Sequence, residues 1–124
     1  MPTLLLFNIA PQKRAALQVI ALRCGCRLQA VPAGRFGATL AQILSGEEGQ
    51  SAPEEPFTEE LLVLAGVDQR QLDTVLSELR RRKAHIALKA VLTPTNAAWT
   101  PGELYAELCA EREAIRRGGQ AHGE

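Results

Sequence analysis

TLLLFN at residues 3 to 8 and LLVLA at residues 61 to 65 decide how this chain folds. Both are unbroken apolar runs, too short for a buried helix and followed by turn-forming residues, Asn8 in one case and Gly66 in the other. Such runs read as strands covered on both faces, and therefore central in a sheet. Two further stretches alternate instead. In Cys26 to Val31, Leu28 and Ala30 point one way and Arg27 and Gln29 the other; in Ile86 to Val91, Leu88 and Ala90 oppose Ala87 and Lys89. Alternation at period two marks a half-covered strand, so these are read as the edges.

Helices fill the intervals. Pro11 to Cys24 presents Ala16, Leu17 and Ile20 on one side, and Asp68 to Arg82 presents Leu72, Val75, Leu76 and Leu79 at three-and-four spacing. A shorter helix is predicted from Phe36 to Leu44. Thr100, Pro101, Gly102 and Glu103 spell a capping box that starts a last helix. The chain thus reads as one α/β domain over residues 1–117, with halves 1–45 and 57–117, an acidic loop at 46–56 and a flexible tail at 118–124. Each half runs strand, helix, strand, helix. RLQAV at 27 to 31 echoes ALKAV at 87 to 91, and Leu17 and Ile20 echo Leu76 and Leu79. If every helix is a right-handed crossover, the four strands form a mainly parallel sheet in the order 2-1-3-4 with helices on both faces. This is a truncated flavodoxin-like layout; the alternative is a ferredoxin-like α+β arrangement.

Composition narrows function by exclusion. Lys plus Arg and Asp plus Glu both count 14 in 124 residues, which removes the broad positive field of a nonspecific nucleic-acid binder. Nucleic acid is disfavoured as a partner. The start, MPTLLLFNIA, has a brief apolar run and no preceding positive charge, so neither a secretory leader nor a membrane span is predicted, and a cytoplasmic location is expected. Cys24, Cys26 and Cys109 cannot all pair with one another and are expected as thiols. One residue between Cys24 and Cys26 is too short a spacing for a structural zinc site, and no metal or cofactor is expected. Gly25 reads as a helix C-cap flanked by small packed cysteines.

Candidate site residues come from the predicted strand ends. Pro11 at the first helical position makes Ala10 the N-cap, and alanine offers the orphan amides no acceptor. Lys13 and Arg14 in that first turn oppose the helix dipole unless an anion lies between. In an all-parallel sheet the turns after every strand share one rim, where ligands of open α/β folds bind. That rim would gather Asn8, Gln12, Lys13, Arg35, Thr93, Thr95, Asn96 and Trp99. The expected ligand is an anion near Gln12, Lys13 and Arg35, or a small polar molecule held by Thr93, Thr95 and Asn96 with Trp99 stacked on it. The competing structural reading has Asn96 and the threonines satisfying a turn, with Trp99 as a hydrophobic staple before Thr100. Arg80 to Lys83 reads as a solvated helix end whose cations complement the dipole, and Glu103, Glu107 and Glu111 as a solvent face.

The segment from Leu61 to Glu111 resembles a family of small bacterial proteins of unknown function. The resemblance rests on Lys89, Ala90, Val91, Leu92, Thr93, Thr95, Asn96 and Trp99, a KAVLTxTN...W pattern before the last helix. It implies a bacterial origin and a functional surface at the Thr93 to Trp99 loop, and supplies no catalytic residues. Together these readings predict a non-enzymatic binding or regulatory module. The alternatives are a small enzyme or phosphate- or nucleotide-binding domain at the strand ends, and an interaction module in which the edge strands or the acidic last helix dock a partner or a second copy.

Overall fold

A computed structural model describes residues 2–46 and 57–121; most of the expected acidic loop lies outside the described residues. The elements follow the order β1 (Thr3–Phe7), α1 (Pro11–Cys24), β2 (Arg27–Ala30), α2 (Leu40–Ser45), β3 (Leu61–Ala65), α3 (Gln69–Arg81), β4 (Leu88–Val91) and α4 (Pro101–Ala121), with single 3-10 turns at Ala33–Arg35 and Asn96–Ala98. The predicted short helix begins later than Phe36, because Thr39 caps it through a box with Gln42. α4 extends to Ala121 and so takes in part of the stretch expected as a tail.

The strand order is β2-β1-β3-β4, as the apolar runs predict. Every residue of β1 and β3 is buried, while β2 and β4 expose part of their length. Direction differs from the expectation at one place. β1 with β2 and β3 with β4 are parallel, but β1 and β3 run antiparallel, in a register symmetric about Leu5 opposite Val63. The sheet is therefore mixed. The all-parallel layout treated α2 as a crossover, yet its six residues span only ~9 Å, against ~16 Å for a five-residue strand. The chain instead enters β3 at the end of the sheet where β2 left off.

Reversing β3 also decides where the helices lie. Two right-handed crossovers diverging from the sheet centre lie on opposite faces if all strands run one way, and on the same face if the second unit is turned over. The second case is observed: Leu17, Ile20 and Ala21 of α1 share a core cluster with Val75 and Leu79 of α3 over Leu4, Leu6, Leu62 and Leu64. The other face buries Leu40 and Ile43 of α2 and Leu104 of α4 over Leu5, Phe7, Leu61 and Val63. There Phe57 is sandwiched between Phe36 and Tyr105, with ring centroids 5.0 and 4.5 Å away.

The two halves repeat each other closely. After the first strand of each half stands a residue with left-handed backbone, Asn8 at φ 61° and Gly66 at φ 69°. The helix that follows ends on another, Gly25 at φ 69° and Lys83 at φ 56°. The next amide closes the same bond in both, Cys26 donating to Ala21 O and Ala84 to Leu79 O, each at 2.9 Å. Thr39 with Gln42 and Thr100 with Glu103 then cap α2 and α4 alike. The equivalences correct the sequence alignment by one residue. Arg27, whose amide donates to Pro2 O, corresponds to Leu88, whose amide donates to Glu60 O, and Leu17 corresponds to Val75.

Candidate functional site

The antiparallel centre divides the predicted site. β1 and β2 deliver Asn8, Gln12, Lys13 and Arg35 at one end of the sheet, and β4 delivers Thr93, Thr95 and Asn96 at the other. The single rim expected from sequence does not form.

At the first end, the chain supplies its own anion. Because Phe7 pairs with Leu61, the residue before β3 lies beside the start of α1. Glu60 Oε2 accepts from the Ala10 amide at 2.9 Å, and Oε1 pairs with Lys13. Burial alone would raise the Glu60 carboxyl, but the bonds from Lys13 and Ala10 outweigh it and hold the group below its ordinary range. Asn8 Nδ2 donates to Phe57 O at 2.8 Å and Glu59 O at 3.2 Å, fastening the same approach to β3. Gln12 is exposed. Arg35 is half-buried in the turn after β2, which leads into Phe36 on the opposite face from α1. Glu60 had no local signal in the sequence, since it acts across some fifty residues.

At the other end four of the predicted residues converge. Thr93, Thr95, Asn96 and Trp99 line a groove of about 370 Å³, closed on its far side by Glu107, Leu108 and Glu111 of α4. The loop is built before any ligand arrives. Asn96 Oδ1 accepts from the Thr93 amide at 2.8 Å, Thr93 Oγ1 accepts from the Asn96 amide at 3.1 Å, and Asn96 Nδ2 donates to Val91 O at 3.1 Å. Buried Asn96 is thereby committed to backbone. Trp99 is half-buried against the α2 and α4 cluster, and its carbonyl accepts from Leu40 at 2.9 Å. The groups left facing outward are the exposed Thr95 hydroxyl, the open part of the indole and the carboxylates of Glu107 and Glu111, which make no ion pair among the described residues.

A larger groove, about 510 Å³, lies on the other face of β4. Leu76, Leu79, Ala84 and Ile86 form its floor, and Arg80, Lys83, His85 and Lys89 stand around it. The sequence showed the Arg80 to Lys83 run and, separately, the strand carrying Lys89, but not that His85 and Lys89 come to lie beside that run. One signal was present: no glycine follows this helix, although its counterpart ends on Gly25.

The remaining reactive groups are held by structure. Burial raises the Cys24 and Cys26 thiols, which disfavours thiolate chemistry, and all three cysteines are free. Tyr105, hydrogen-bonded with Cys109 and with Glu59 Oε1 at 3.0 Å, is pushed up to about 12. Glu59 is held below the carboxylate range first by the two bonds from Arg112, then by Tyr105, so this trio ties α4 to β3. No group of three or more metal-ligating side chains occurs among the described residues.

Comparison with known proteins bears on one half. Residues 60–115 match the family model described as a domain of unknown function, DUF3783, a match that begins at Glu60 and ends within α4. The whole of β3, α3, β4 and the Thr93 to Trp99 loop falls inside it, and the first half outside. No curated protein matches the chain, and no solved structure does. No helix among the described residues is long and apolar enough to cross a membrane.

Proposed function

We propose that the protein is a non-enzymatic binding module of the bacterial cytoplasm that takes a small polar ligand in the groove between the Thr93 to Trp99 loop and α4. One observation supports this most: the loop is pre-built by the reciprocal Thr93 and Asn96 bonds, and the groups it leaves outward converge on one groove. Pre-organisation of this kind lowers the ordering cost of binding. The charge of the groove narrows the ligand. Lys89 also lines the groove, its ammonium bonded to Ile86 O, so the balance of charge is set by Glu107 and Glu111 on one wall with the Trp99 ring on the other. An organic cation such as an amine or guanidinium gains both ion pairing and a cation–π contact there, the latter ~0.5–2 kcal/mol. Among the described residues no side chain lining the groove is a nucleophile set beside a base, so the reading stops at binding.

Thermal unfolding against arginine, choline and spermidine tests this, because a ligand of the folded state raises Tm with its concentration. The expected result is a dose-dependent rise that disappears in Trp99→Ala and in the Glu107→Gln, Glu111→Gln double variant. An unchanged Tm with all three cations at millimolar concentration would overturn it.

A further inference from the structure

We infer that the groove between the end of α3 and β4 is a second, separate site that binds an amphipathic anion, a carboxylate or phosphate carried on an apolar body. Its floor and its rim differ in kind. Leu79, Ala84 and Ile86 are buried and, with half-buried Leu76, give an apolar bed, while Arg80, Lys83, His85 and Lys89 are all exposed around it. Among the described residues no carboxylate lines the groove. The nearest acidic residue on α3, Glu78, is engaged by Arg23, Arg81 and Arg82. Among the described residues Arg80 and Lys83 make no ion pair and the Lys89 ammonium donates only to Ile86 O, at 2.8 Å.

A helix dipole accounts for part of this charge, since cations suit a C-terminus. It does not account for the rest. Lys83 stands beyond the last turn, in left-handed backbone that L side chains rarely adopt, at the position Gly25 fills in the first half. His85 and Lys89 belong to a separate segment that leads into and along β4. In the first half Cys26 alone joins the helix cap to β2, whereas Ala84 to Ala87 join Lys83 to β4. That longer link carries Ala84, His85 and Ile86, three of the groove's eight lining residues, into place. The second half thus departs from the first where the cations collect. A volume of about 510 Å³ lies in the range of small-molecule sites. An apolar floor under a cationic rim rewards a ligand with both characters over a bare anion.

The test is titration of the full chain, followed by backbone amide NMR, with three probes: octanoate, phenyl phosphate and inorganic phosphate. The first two carry the shared chemistry on aliphatic and aromatic bodies, and the third is the head group alone. Either amphipathic probe should shift the amides of Leu76, Ala84, Ile86 and Lys89 with an affinity on the order of 1 mM or tighter. Inorganic phosphate should bind at least roughly tenfold more weakly, the factor that ~1.4 kcal/mol of apolar contact represents. Arg80→Gln and Lys89→Gln, both surface changes, should each weaken the better probe several-fold, and Arg116→Gln, exposed on α4, should leave it unchanged. Saturation elsewhere on the surface, equal binding of inorganic phosphate, or undiminished binding in the Arg80→Gln, Lys89→Gln double variant would overturn the inference. The outcome is separable from that of the cation groove, because the two sites select opposite charges and report on different amides, Ile86 here and Trp99 there.

Discussion

α1 and α3 occupy equivalent places in the two halves, and each begins with amides that need an acceptor. α3 solves this locally: Asp68 accepts from the Gln71 amide at 2.7 Å, and Gln71 reaches back to the Asp68 amide. α1 answers it only in part and at long range: no side chain caps its first-turn amides, but Glu60 from the other half accepts from the N-cap amide of Ala10 and pairs with the Lys13 ammonium. The lesson lies in what each device requires. A local cap forms wherever its own helix forms, but the Glu60 cap exists only when β1 and β3 have paired antiparallel. The first half is therefore completed by the second, at a point where the second is complete in itself.

The largest effects should test whether the halves are equivalent in their cores. Leu4 and Leu62 are both 0% exposed and meet the same α1 and α3 cluster. Leu4→Ala and Leu62→Ala should each cost ~2–5 kcal/mol in denaturant unfolding, since both remove a full side chain and leave a cavity. A difference between them greater than ~1 kcal/mol would show that the backbone repeat conceals unequal packing.

Next in size is the contrast between the caps. Glu60→Ala should cost ~1–2 kcal/mol, and Asp68→Ala ~0.5–2 kcal/mol. Amide exchange separates them: Asp68→Ala should expose the first turn of α3 only, whereas Glu60→Ala should expose the first turn of α1, in the half the substitution does not touch. The pH dependence has a defined sign. Glu60 has a folded pKa below its unfolded value near 4.5, so its contribution is present above that value and is lost as pH falls through the lowered folded pKa. The stability gap between the wild type and Glu60→Gln should hold at neutral pH and close in acid. A gap that persists below the folded pKa would mean that the protonated carboxyl caps the helix equally well.

These contrasts also show what a reader of the sequence can reach. Strand order was legible because continuous burial in TLLLF and LLVLA leaves central positions as the only choice. Strand direction was legible within each half, where the crossover rule binds β1 to β2 and β3 to β4 in parallel, but not between the halves, because the rule says nothing about the link that joins them. The Thr39 and Thr100 caps obey the same local spacing, yet only the second was recognised, where Pro101 and Glu103 reinforce it. The Thr93 to Trp99 loop was legible as a polar surface for the same local reason. The Glu60 cap and the cationic groove were hidden because each joins residues from separate elements, and no periodicity records such a meeting.

The smallest expected effect is the most discriminating. Gly25 and Lys83 hold the same left-handed cap, and a Cβ at Gly25 would meet nothing within 4 Å. Gly25→Ala should therefore cost ~1 kcal/mol from backbone conformation alone. Lys83→Gly reverses that change in the other half and should raise stability by ~0.5–1 kcal/mol, relief of the left-handed strain exceeding the added freedom of the unfolded chain. The same substitution removes one cation from the groove on α3 and β4, so octanoate or phenyl phosphate should bind several-fold more weakly to a protein that melts higher. Opposite signs in stability and affinity are what a residue kept for charge, at the expense of backbone comfort, must give. If Lys83→Gly leaves stability unchanged, the aliphatic stem of Lys83 offsets the strain by packing on Leu76 and Leu79, and the departure from Gly25 is structural in origin.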